Sequence, residues 1–166
     1  MEVIFAPVRF AYVTSAKPRD GECVLCRIRD ERDDEPHLVL FRTALHYVLI
    51  NRYPYNSGHL MIVPNRHEAD LHGLTREERG DLIELAGRTE KILRDTYNAQ
   101  GINIGMNLGE SAGAGIVGHL HMHLVPRWSG DTNFMTVVGA TRVVPEEPGT
   151  TFKRLRPLFL KRGEAP

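Results

Sequence analysis

Three things are scarce in this chain: charge of one sign, long apolar runs and cysteine. Lys plus Arg number 21 and Asp plus Glu number 21, so the formal net charge is zero. A domain that holds long nucleic acid carries a basic excess, so a nucleic acid polymer is not an expected partner and a small ligand is favoured. No apolar run approaches the roughly 20 residues needed to span a bilayer, so no membrane partner is expected. The first residues, Met1 to Pro7, lack the basic start and long apolar stretch of a signal peptide, which makes the cytoplasm the expected location. Internal repeats and low-complexity segments are absent as well. At 166 residues with 42% hydrophobic content, the expectation is one globular domain over residues 1–166.

The two cysteines, Cys23 and Cys26, form a single C-x-x-C pair. In a cytosolic chain a disulfide is disfavoured, and such a pair points to metal or redox chemistry. Metal binding needs two further ligands, which His67 and His119 can supply. A redox reading lacks a thioredoxin-like setting, and the plain alternative is two buried reduced thiols.

What the chain has is histidine in a pattern. His119, His121 and His123 alternate with Leu120, Met122 and Leu124 in the stretch Gly118 to Pro126. In an extended strand successive side chains point to opposite faces, so the imidazoles share one face and the aliphatic groups the other. A half-exposed strand with surface histidines is the plain reading; a catalytic or metal-binding platform is the sharper one. Alternation alone does not separate catalysis from metal binding, because neutral imidazole is both a ligand and a nucleophile near pH 7. The preceding segment Gly109 to Gly118 is rich in glycine and small residues. Such a loop lets backbone amides approach an anion closely, as in phosphate-binding nests. Together the two features suggest chemistry on a phosphate.

Along the chain, Lys17 to Gly21 reads as a turn and Cys23 to about Asp33 as a short helix. Strands are expected at His37–Phe41, His46–Asn51, His59–Val63, Ile102–Met106 and His119–Val125. Thr75 to Glu78 fits a capping box, opening a long helix to about Asn98, with Gly101 near its C′ position. Phe134 to Val144 has strand character, Pro145 to Gly149 reads as a linker, and Thr151 to Lys161 as a short basic helix interrupted by Pro157. Neighbouring strands joined mostly by turns imply an antiparallel sheet.

The stretch Gly118 to Arg127 resembles the signature of the histidine triad family of nucleotidyl hydrolases and transferases. Val48 to Pro64 resembles that family's strand–turn–strand unit, and Asn103 to Asn107 the strand leading into its phosphate loop. Arg127 to Met135 resembles the branch that cleaves diadenosine tetraphosphate, by hydrolysis or phosphorolysis. The resemblance covers a core of about residues 20–128, leaving 129–166 as a C-terminal extension. It implies an α+β fold: a five-stranded antiparallel sheet with one long and one short helix, the sheets continuing across a homodimer.

The resemblance also implies roles. His121 matches the nucleophile that forms a covalent nucleotidyl-histidine, His123 a donor to a non-bridging oxygen, and His119 an orienting residue. Asn51 and Asn107 match positions that contact ribose or phosphate, and backbone groups around Ala114 and Gly115 would hold the remaining oxygens. Some members carry a structural zinc, here implied at Cys23, Cys26, His67 and His119; Pro64 to His67 matches the family's turn. Trp128 is open between base stacking and packing, and Leu49 and Ile50 between a base pocket and core. Ile116 departs from the pattern, standing where several relatives carry a hydroxyl or amide donor, so water and phosphate both stay open as the acceptor. His37, His46, His59 and His72 match no catalytic position and read as surface or strand-packing residues. The leading function is cleavage of dinucleoside polyphosphates. The rivals are a nucleoside phosphoramidate or adenylyl-lysine hydrolase, and a nucleotide-binding interaction protein without turnover.

Overall fold

A computed structural model describes residues 22–131 and 146–161. The turn read at 17–21 and the strand character of 134–144 lie outside the described residues. The described residues hold three α-helices: α1 Val24–Glu31, α2 Arg76–Tyr97 and α3 Pro148–Leu160. Five strands, β1 Val39–Arg42, β2 His46–Ile50, β3 Leu60–Pro64, β4 Gly101–Met106 and β5 Met122–Arg127, form one antiparallel sheet in the order β1-β2-β3-β5-β4. The expected fold class holds, with one helix more than the resemblance implied. Among the described residues no helix is long and apolar enough to cross a membrane.

Alternation in the central strands explains the layering. Val48, Ile50, Leu60, Ile62, Met122 and Leu124 face α2 and α3 in one apolar cluster. Tyr47, Leu49, Met61 and Val63 face the other way, onto Leu25 of α1. β2 and β3 are therefore buried on both faces, and each such side chain contributes about 1.5–3 kcal/mol. The buried Tyr47 hydroxyl donates to Leu25 O at 2.8 Å, which ties α1 to the sheet.

The capping box forms as expected. Thr75 Oγ1 accepts from Glu78 N, and Glu78 Oε2 accepts from Thr75 N. The far end of α2 differs. Asn98, at φ 49°, is the left-handed cap, whereas Gly101 already belongs to β4; Asn tolerates this conformation because its short polar side chain bonds locally. Pro148 and Gly149 lie in the first turn of α3 rather than in a linker. That helix runs through Pro157 to Leu160, with Phe152, Leu155 and Phe159 buried on one side.

The largest departure is at β5. The regular strand starts at Met122, not His119. β3 pairs with β5 only from Ile62–Met122 to Leu60–Leu124, and upstream the Leu120 amide donates to Glu68 O at 2.6 Å instead. Only His123 of the alternating histidines lies in the regular strand. His119 and His121 sit on the approach to it, beside the turn that follows β3.

Candidate active site

That approach segment is anchored by its histidines. His119 Nε2–H donates to Pro64 O at 2.9 Å, which leaves Nδ1 as an acceptor. Nδ1 lies 3.3 Å from Cys23 Sγ and 3.5 Å from Cys26 Sγ. His67 Nδ1 lies 3.2 Å from Cys26 Sγ. The four ligand atoms are all within 4.8 Å of one another. Tetrahedral zinc, with Zn–S about 2.3 Å and Zn–N about 2.0–2.1 Å, would separate S from N by roughly 3.6 Å. The donor set and spacing fit such an ion. The electrostatics agree: burial and the neighbouring Cys23 push the Cys26 thiol up, a penalty that a dication would reverse. Sequence reasoning named all four residues, and the fold brings them together.

His121 is buried at 5% exposure. Its Nδ1–H donates to His119 O at 2.8 Å, so the lone pair is on Nε2. Burial holds its pKa below the ordinary histidine value, which keeps the imidazole neutral and nucleophilic at neutral pH. The His123 ring stands 5.0 Å away, edge to face.

A residue given no catalytic position by the sequence completes the arrangement. His59 is fully buried. Tyr55 N–H donates to His59 Nδ1 at 3.1 Å, and His59 Nε2 lies 2.9 Å from His123 Nδ1. With Nδ1 of His59 accepting, its Nε2 carries the proton and donates to His123 Nδ1. Neutral His123 then carries its own proton on Nε2. The chain of bonds fixes the tautomer of His123, whose ring neighbours that of His121. In the sequence His59 stands at the head of an expected strand, and the strand order makes that strand the neighbour of β5.

The remaining expected residues divide. Asn51 belongs to the cluster, with Nδ2 3.5 Å from His59 Nε2 and Oδ1 accepting from Tyr53 N. Asn107 closes the following loop through Nδ2 to Gly113 O at 3.5 Å and lines a groove with His123. The Ala114 amide is turned inward, donating to Gly109 O at 3.4 Å, while Gly115 is exposed on that loop. Trp128 does not line the groove; its Nε1 donates to Tyr97 O at 3.2 Å, at the end of α2. Leu49 and Ile50 are core, and Ile116 packs against the Tyr47 cluster. His37 pairs with Glu31, and buried His46 with Asp81.

The groove has a volume of about 440 Å³ and is walled by Tyr55, Asn103, Gly105, Asn107, His123 and Arg127 among others. A wider hollow of about 590 Å³ at Asp70, His72, Arg79 and Leu108 contains none of the clustered histidines. Chemistry decides between them in favour of the groove.

An imidazole lone pair beside an imidazole proton is suited to covalent transfer of an anionic group. The class this defines agrees with the comparisons. The HIT domain model matches residues 32–130, and the chain belongs to the HIT domain family. It stands with the enzymes of hydrolase and transferase type. It is 39% identical over 141 residues to a Mycobacterium tuberculosis protein named AP-4-A phosphorylase, covering 85% of this chain and 70% of the relative. It is 32% identical over 93 residues to the asymmetrical bis(5'-nucleosyl)-tetraphosphatase of Schizosaccharomyces pombe, covering 56% of this chain and 50% of that protein. A solved zinc-bound histidine triad family protein from Mycobacterium smegmatis superposes with a TM-score of 0.68 at 26% identity, covering 83% of this chain and 93% of the other.

Proposed function

We propose that this chain cleaves dinucleoside polyphosphates, diadenosine tetraphosphate foremost, at an α-phosphorus. The observation that carries the reading is the pair of tautomers, an Nε2 lone pair on His121 and an Nε2 proton on His123, on rings whose centres stand 5.0 Å apart. His121 Nε2 attacks phosphorus, the P–N bond forms, and the bond to the bridging oxygen breaks. The released nucleotide leaves with the electron pair. His123 donates to a non-bridging oxygen, a contact of the kind whose loss costs about a hundred- to thousandfold. Water or phosphate then attacks the nucleotidyl-histidine and restores His121. Asn51 and Asn107 contact the bound nucleotide. The exposed Gly115 leaves its backbone free to approach a phosphate. Resemblance to a phosphorylase favours phosphate as acceptor.

Cys23, Cys26, His67 and His119 would hold a structural zinc ion. When bound, zinc supplies a cross-link between α1, the turn after β3 and His119. His119 in turn offers the carbonyl that orients His121. Thiolate ligands need a reducing compartment, in keeping with a cytoplasmic location. The exposed edge of β4 suits pairing with a second copy, giving a homodimer.

Product analysis with labelled diadenosine tetraphosphate, with and without inorganic phosphate, tests the reading. ADP plus ATP marks phosphorolysis, and AMP plus ATP marks hydrolysis. Failure to cleave the dinucleotide alongside turnover of adenosine 5'-phosphoramidate would replace the substrate class.

A further inference from the structure

We infer that the groove over β4 and β5 is the subsite for the leaving nucleotide, and that Gly105 sets its room beside His123. The inference rests on the proposed cleavage of dinucleotides. Side chains alternate along a strand, so His123, Val125 and Arg127 share one face of β5. Asn103 and Gly105 share the matching face of β4, with Gly105 directly opposite His123 and Asn103 opposite Val125, and Asn107 follows just past the strand's end. All six line one groove. From His123 to Arg127 the strand advances about 14 Å, longer than a single phosphate. The volume, about 440 Å³, falls within the range of roughly 300–1,000 Å³ that small-molecule sites occupy.

Gly105 is the informative position. Its backbone is not in the left-handed region, so conformation does not demand glycine there. A Cβ built on it meets no atom of the described residues within 4 Å, so their packing does not demand glycine either. A glycine within a strand still costs about 0.5–1 kcal/mol relative to alanine. Open space beside His123 is what the missing side chain leaves, and a strand glycine of this kind marks close approach of a ligand.

The far end is built to meet a polar group. Arg127 donates Nε and Nη2 to Asp131 at 2.6 and 2.8 Å, and Nη1 to Asn103 Oδ1 at 2.8 Å. Of the five N–H groups of a guanidinium, two have no partner among the described residues. Asp131, whose side chain is 8% exposed, locks the guanidinium and offsets its charge. Arg127 therefore acts as a fixed donor rather than a bare cation. In an in-line displacement the leaving oxygen lies opposite the attacking nitrogen, and the hollow that His123 lines leads away toward Arg127. A large leaving group gains contacts along it, and a small one gains none.

The test compares two substrates on the full chain: diadenosine tetraphosphate, and adenosine 5'-phosphoramidate, whose leaving group is ammonia. Gly105→Val should lower the ratio of kcat/KM for the tetraphosphate to that for the phosphoramidate at least tenfold. Gly105→Ala, which adds a single methyl and retains the fold more surely, should lower it by less. Thermal melts establish that each variant is folded. Equal loss on both substrates, or no loss on either, would overturn the inference while leaving the proposed function intact. A wild-type chain that cleaves no dinucleotide would remove both.

Discussion

His59 Nε2 lies 2.9 Å from His123 Nδ1, joining two imidazoles 64 residues apart in sequence. Because His59 Nδ1 already accepts from Tyr55 N–H, the bond has one direction, and it sets which nitrogen of His123 carries the proton. His59→Phe fills the space but cannot donate. Losing such an orienting partner typically costs about 10–100-fold, and here the loss should fall on kcat with KM little changed. Nitrogen NMR of the imidazoles should show His123 leaving its Nε2–H tautomer. An unaltered tautomer, together with wild-type kcat, would leave His59 as mere packing.

His121→Ala removes the proposed attacking nitrogen but leaves the groove and the Cys23, Cys26, His67 and His119 cluster. Turnover should fall by several orders of magnitude, as is usual for loss of a nucleophile, while nucleotide binding measured by calorimetry persists. More than about a tenth of wild-type kcat would sink the assignment.

The legibility of this site follows from what each residue depends on. The clustering of Cys23 and Cys26 with His67 and His119 is readable because potential ligands are few residue types and the resemblance implies the partners. The capping box at Thr75 and Glu78 was readable because it is local. The place of His59 is not readable, since its contact with His123 arises from the β3–β5 pairing, a relation between residues 64 apart in sequence. The single-strand picture of the three histidines failed for a related reason. Nothing near His119 announces that the Leu120 amide will bond to Glu68 instead of to β3. Trp128 was open in sequence because an indole serves stacking and packing alike; its bond to Tyr97 O draws it to the end of α2.

Purified without chelator, the protein should carry one zinc per chain. Cys26→Ser should lose it and melt at a lower temperature, because metal binding energy is part of the folding energy. Chelation of the wild-type chain should lower the melting temperature to a similar extent. Elemental analysis giving no zinc in freshly purified protein would remove the claim.

The last prediction concerns acid stability at the start of α2. Arg66 donates to both carboxylate oxygens of Glu78 at 3.0 and 2.8 Å, and the Thr75 amide donates to it at 2.7 Å. These bonds, those from Arg66 foremost, hold the Glu78 carboxyl at about 2 against an ordinary 4.5. A depressed carboxyl favours the folded state only while it is ionised. Its contribution is full above pH 4.5 and fades as pH falls toward 2. Glu78→Gln retains an acceptor for the Thr75 amide but has no charge to lose. The variant should be less stable than wild type at pH 7, and the gap should close between pH 5 and pH 2. Thr75→Ala, which removes the other half of the box, should cost about 1 kcal/mol at pH 7. Urea midpoints at half-unit pH steps measure all three. Parallel curves for wild type and Glu78→Gln would show that the ion pair with Arg66 contributes nothing that titrates. The stabilisation at this corner would then come from the cap alone.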